Sequence, residues 1–156
     1  MRFLGMPPIK PYAYVLGKLC VVACWASLAA RWFWPGIVWF RGPALDALGA
    51  VALAIGVLVL GAGLVGLGRS LTMGLPTEKT ALETAGPYQH TRNPIYVGGL
   101  LICMAAVLWT ANPIILLLMV VTATVHHRIV LAEEKFLAAE FGEGWREYAS
   151  RVRRYL

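Results

Sequence analysis

Apolar residues run along this chain in four long stretches, each closed by a polar or proline-bearing break. The first extends from Tyr12 to about Ala30 and is interrupted only by Lys18, near enough to its start for the ammonium to snorkel toward water. The second, Ala44 to Leu67, holds Asp46 at its start and no other charge. The third runs from Pro94 to Trp109. The fourth begins at Pro113 and stays apolar to His126, its helical period continuing through "RIVLAEEKFLAAEF". A spanning helix needs about 20 mostly apolar residues, so the pattern predicts an all-α, polytopic membrane bundle of about four transmembrane helices.

The breaks carry geometry. Spans three and four are joined by little more than Ala111 and Asn112, which forces an antiparallel hairpin. Reflecting the chain about that turn sets Pro94 level with about Ile129 and His90 level with about Glu133. The polar stretch "GPYQHTRNPIYVGG" and the stretch "HHRIVLAEE" should therefore face each other at one membrane surface. Between spans two and three lies the one long polar loop, about Gly68 to Asn93, of a length that is more often functional than idle. On span two, Gly49, Ala52, Gly56, Val59, Gly63 and Gly66 fall on one helical face. Small faces let helix backbones approach closely in lipid, and packing within the bundle is the expected use. The tail "FGEGWREYASRVRRYL" sets Phe141, Trp145, Tyr148 and Val152 at three- and four-residue steps, an amphipathic interfacial helix that either roofs the polar pocket or anchors the C-terminus.

Composition agrees with this plan. Of 156 residues 59% are hydrophobic and 14% charged, where a soluble domain carries about a quarter charged. A signal peptide alone does not account for apolar runs along the whole length. Twelve of the basic residues fall on one side of a four-span plan and two, Arg31 and Arg41, on the other. The positive-inside rule then places both termini in the cytoplasm. The net charge of +6 suits an anionic inner leaflet and requires no nucleic acid. Cys20, Cys24 and Cys103 lie within spans and read as buried small side chains. His90, His126 and His127 lack further ligands at suitable spacing, so no metal site is expected. The whole chain reads as one integral domain: residues 1–68 supply two spans, and residues 69–156 supply the polar loop, the hairpin and the tail.

Several side chains carry possible chemistry. Pro94 suits the first helical position, Asn93 an N-cap. The free N–H groups of that helix start favour an anion, which Arg92 can clamp. Tyr88 and Tyr96 sit at interface depth, where tyrosine is common, yet their faces can hold a cation. Gly98 and Gly99 admit a helix or a ligand. Glu133 and Glu134, just beyond a span, read either as a salt-bridged pair with Arg128 and Lys135 or as a functional pair able to accept ribose hydroxyls.

In order and spacing, "GPYQHTRNPIYVGG" followed by "EEKFLAAEFGEGWREYASRVRRYL" resembles the isoprenylcysteine carboxyl methyltransferase family, itself similar to the phospholipid N-methyltransferases, over residues 69–156. The resemblance implies S-adenosyl-L-methionine as cofactor and methyl transfer to a lipophilic, lipid or prenylated acceptor. It places Gly86, Tyr88, His90, Arg92, Asn93, Pro94, Tyr96, Gly98, Glu133 and Glu134 at the cofactor, and Arg154 at the acceptor. Arg92, Asn93 and Glu134 are its catalytic candidates, although oriented methyl transfer obliges no single residue. Asn93 replaces the family's histidine, Trp145 a tyrosine and Arg153 a proline. Two other readings stand beside it: an NADPH-dependent membrane reductase related to sterol reductases, and a non-enzymatic membrane protein. The identity of the acceptor and the oligomeric state are open.

Overall fold

The computed structural model describes residues 7–68 and 82–155, so Arg69 to Ala81 of the polar loop, with Lys79, and the N-terminal Arg2 lie outside the described residues. Among the described residues four α-helices follow one another: α1 Pro11–Phe33, α2 Pro43–Leu67, α3 Pro94–Thr110 and α4 Pro113–Arg151. Each opens on a proline, whose missing N–H would be unpaired there in any case. A 3₁₀ turn, Pro35–Ile37, links α1 to α2, and another, Gly86–Gln89, precedes α3. Helices α1, α2 and α4 are long and apolar enough to cross a membrane. Helix α3, at 17 residues, is about 26 Å long, slightly under the hydrocarbon thickness. A polytopic helical bundle results, as the hydrophobic pattern predicts.

The hairpin forms as expected. Ala111 takes a left-handed conformation (φ 46°) to end α3, and the Asn112 side chain accepts a hydrogen bond from the Ile114 N–H at 2.9 Å to start α4. The Asn112 amide also donates to the Ile37 carbonyl at 2.9 Å. The Trp39 N–H donates to the Thr110 carbonyl at 2.8 Å, so the α1–α2 connection is tied to the hairpin turn.

The small face of α2 packs along α3, as predicted. A methyl group at Gly56 would lie 3.0 Å from the Gly98 carbonyl oxygen, and one at Gly63 would lie 2.9 Å from Ile95. Gly98 returns the contact against the backbone of Leu60 and Gly56. Helix α1 closes the other side, running antiparallel to α4: Gly17 meets Val125, and Cys24 with Ile115 lies in the core beside Cys103 and Ala106. All three cysteines are buried free thiols, and among the described residues no cluster is suited to hold a metal ion.

The close α2–α3 approach makes a clear prediction. Gly98→Ala pushes a methyl group into the Leu60 backbone, which cannot rotate away, and should cost about 1–3 kcal/mol. Gly99→Ala meets only Trp25 at 3.6 Å and should stay within about 0.5 kcal/mol. Unfolding midpoints in mixed micelles compare the two.

Candidate functional site

The polar residues gather at the end of the bundle where α3 begins. Gly86 adopts φ +59°, a conformation open to glycine, and turns the chain into the 3₁₀ segment. Tyr88 is buried there, its hydroxyl donating to the Gly63 carbonyl at 3.3 Å. Burial pushes that phenol up to about 12, so it remains a neutral donor. The Tyr148 hydroxyl donates to the Tyr88 carbonyl at 2.7 Å.

The last residues of the chain lie across the turn before α3. The Arg92 N–H donates to the Arg153 carbonyl at 2.9 Å. The Thr91 hydroxyl (3.2 Å) and the Asn93 amide (3.0 Å) both donate to the Arg154 carbonyl. Here the structure departs from expectation: Asn93 occupies the cap position of α3, but its side chain makes no capping bond. Its amide is drawn instead to a carbonyl some sixty residues away.

Glu134 stands at the centre. Its Oε2 accepts from Arg154 Nε at 3.0 Å and Nη2 at 2.7 Å, and its Oε1 lies 3.5 Å from Arg92 Nη2. The side chains of Arg92 and Glu134 are each 12% exposed. Pairing with Glu134 raises Arg154 above its ordinary range. Arg92 also lies 5.6 Å from the centre of the Trp145 ring, within cation–π distance. Trp145 is brought there by Gly142, whose φ of 52° and ψ of −117° kink α4. Of the two uses expected of the tail, Trp145 and Tyr148 supply the roof, for both are buried.

Beside this cluster, the Tyr96 hydroxyl donates to both oxygens of Glu133, at 2.9 and 3.0 Å. The Tyr96 ring lies 5.4 Å from that of His126, whose Nδ1 donates to the Thr122 carbonyl at 2.8 Å. On α1, the Lys18 ammonium lies 5.3 Å from the centre of the Tyr14 ring. His127 pairs through Nδ1 with the Tyr155 hydroxyl at 2.8 Å.

The predicted residues therefore divide. Arg92, Asn93, Pro94, Tyr96, Glu133, Glu134 and Arg154 converge, with Tyr88 beneath them. His90 does not meet Glu133, as simple reflection predicts; it is exposed, and Tyr96 makes that contact instead. Side chains lean toward the N-terminus of their own helix, which shifts the meeting point. Gly98 is taken up by α2, and Gly86 serves the turn. Arg128 and Lys135 are exposed, and the partners of Glu134 are Arg92 and Arg154. Sequence reasoning overlooked Thr91 and Tyr155, neither of which carried a signal in spacing or period.

Two polar atoms in this site are buried without a hydrogen-bond partner within the protein, Arg92 Nε and Glu134 Oε1. A buried donor and a buried acceptor at one place are costly unless a ligand or water meets them. They suit a ligand that carries both an anionic group and hydroxyls.

A search of curated proteins returns no match. A family model described as phospholipid methyltransferase matches residues 45–144. That match runs from the start of α2 through α3, both glutamates and the kink in α4, and covers more than half of the sequence. This chain belongs to the phospholipid methyltransferase family.

Proposed function

We propose that the protein is an S-adenosyl-L-methionine-dependent methyltransferase, similar to the isoprenylcysteine carboxyl methyltransferases, with its cofactor held where Arg92, Tyr96, Glu133 and Glu134 converge. The buried Arg92–Glu134 pair carries this reading, because each partner keeps an unsatisfied polar atom at the open start of α3. The acceptor is a lipophilic, lipid or prenylated molecule entering from the bilayer. The site end of the bundle faces the cytoplasm with both termini, as the basic residues favour.

The residues fit the cofactor. Arg92 and the free N–H groups of α3 suit the methionine carboxylate. The Tyr96 ring suits the sulfonium. Each oxygen of a carboxylate has two acceptor sites, so Glu133 can receive ribose hydroxyls while Tyr96 stays bound. When present, the cofactor supplies an electrophilic methyl group. The protein's part is orientation and the exclusion of water, with Trp145 and Tyr148 closing the site above Arg92. A carboxylate acceptor needs no base. An amine or thiol must first lose a proton, and the His126 ring, 5.4 Å from that of Tyr96, is the imidazole nearest this cluster's tyrosine.

Calorimetry of the detergent-purified protein with S-adenosylhomocysteine and, separately, NADPH tests the reading. Native protein should bind the homocysteine product at one site, and Arg92→Gln should weaken binding by about 10- to 100-fold, the worth of a charge-assisted hydrogen bond. Binding of NADPH alone would install the reductase instead. Binding of neither by folded protein would remove the enzyme reading.

A further inference from the structure

Among the described residues, the exposed large aromatic side chains are confined to the two ends of α1 and the connection that follows it. Tyr12 stands at the start. Trp32, Phe33, Trp34, Trp39 and Phe40, each between 63% and 75% exposed, crowd the far end and the connection to α2. Between these ends the exposed large residues of α1 are aliphatic, as are those of α2. Positions 12 and 32 are 20 residues apart, a helical rise of about 30 Å, which is the thickness of a bilayer's hydrocarbon. Aromatic side chains at both ends of such a span sit where tyrosine and tryptophan favour the membrane–water interface.

We propose that residues 32–40 form an interfacial anchor, their aromatic side chains inserted among the lipid headgroups of the leaflet opposite the candidate site. Helix α3 shows why an anchor is needed there. At about 26 Å it stops about 4 Å short of the second surface when its start lies at the first. The connection is bonded to that short end. The Trp39 N–H donates to the Thr110 carbonyl at 2.8 Å, and the Asn112 amide donates to the Ile37 carbonyl at 2.9 Å. The rings of the connection thus take up the step that α3 leaves, one of the ways a short span is matched to its bilayer.

Backbone and charge agree with a lipid partner. The N–H groups of Trp34, Ile37 and Val38 donate to the carbonyls of Ala30, Trp34 and Pro35 at 2.8, 3.0 and 3.1 Å. A loop in water does not require such pairing, whereas unmet peptide groups become costly as water thins out. The Arg31 guanidinium lies 4.0 Å from the centre of the Trp109 ring and 5.1 Å from that of Trp32. Trp109 is itself fixed by its Nε1 donating to the Asp46 carbonyl at 3.0 Å. Among the described residues no acid forms an ion pair with Arg31. A cation held over an indole, beside five exposed rings, matches a layer of phosphates resting on hydrocarbon.

The test is fluorine NMR on 5-fluorotryptophan-labelled protein in phosphatidylcholine nanodiscs. Trp32→Phe, Trp34→Phe and Trp39→Phe assign the three resonances, and each site is exposed enough for the variant to fold. A nitroxide on the lipid headgroup should broaden all three at least about threefold more than it broadens Trp25, which lies mid-span. A nitroxide at the chain terminus should reverse that order. A gadolinium chelate in the buffer should broaden them at least about threefold less than free 5-fluorotryptophan added alongside. Broadening by the chelate equal to that of the free amino acid puts the segment in water and overturns the proposal. Insensitivity to all three probes overturns it as well, since another protein surface, such as a second copy, then covers the rings. Preference for the chain-terminal nitroxide also overturns it, by burying the segment in hydrocarbon. No ligand enters the measurement, so its outcome is separate from that of the cofactor reading.

Discussion

Glu134→Ala should abolish measurable cofactor binding and destabilise the protein at the same time. Among the described residues, Glu134 is the one acid paired with two guanidiniums, Arg154 at 2.7 Å and Arg92 at 3.5 Å. Arg154 is 36% exposed on its side chain, so water can replace most of what it loses. Arg92 is 12% exposed and its Nε already lacks a partner; the cost therefore falls there. Removing one member of a buried ion pair typically costs about 3–5 kcal/mol, because the remaining charge stays buried. Trp145 cannot make up the difference, since a cation–π contact is worth at most about 2 kcal/mol. Freed from Glu134, Arg92 and Arg154 should also separate and loosen the turn before α3. Affinity for S-adenosylhomocysteine should fall by more than about 100-fold, while thermal unfolding in detergent shows the loss of stability. Lys135→Ala, one residue along on an exposed position, should change neither. A folded Glu134→Ala protein that binds as the native one does would refute the assignment.

The parts of this fold that obey a period are legible in the sequence. The Ala111–Asn112 break between two apolar runs announces the hairpin, and the glycine face of α2 announces its close partner. The convergence of Arg92 with the paired acids follows from that hairpin alone. What escapes notice has no period. The segment after α4 lays the Arg153 and Arg154 carbonyls across Thr91 to Asn93, and bonds to backbone carbonyls leave no mark in the residue types that supply them. Asn93 before Pro94 reads as a helix cap on local grounds, and a distant carbonyl takes its amide. The kink at Gly142 was visible only as a glycine, because the spacing of Phe141, Trp145 and Tyr148 continues through it.

Glu133→Gln is expected to separate binding from folding where Glu134→Ala joins them. The amide is nearly isosteric, and its carbonyl oxygen can still accept from the Tyr96 hydroxyl that now meets both carboxylate oxygens, at 2.9 and 3.0 Å. It removes one of the two acceptor oxygens and, above the value of about 7 to which burial pushes the Glu133 carboxyl, its negative charge. Stability should consequently change by less than about 1 kcal/mol, the range of one exchanged neutral hydrogen bond. Binding should suffer more, because hydrogen bonds to a charged group are worth about 1.5–3 kcal/mol. That is a loss of about 10- to 100-fold in affinity for S-adenosylhomocysteine. Tyr96→Phe provides the complement: it frees Glu133 from its hydroxyl donor but keeps the aromatic face, so a sulfonium should still be held while the carboxylate loses its orientation. Calorimetry on both variants, with S-adenosylmethionine and with the uncharged S-adenosylhomocysteine, distinguishes the roles. Glu133→Gln should weaken both ligands equally, as a ribose contact requires. A loss confined to the sulfonium would instead assign Glu133 to the charged centre and leave the ribose to Glu134.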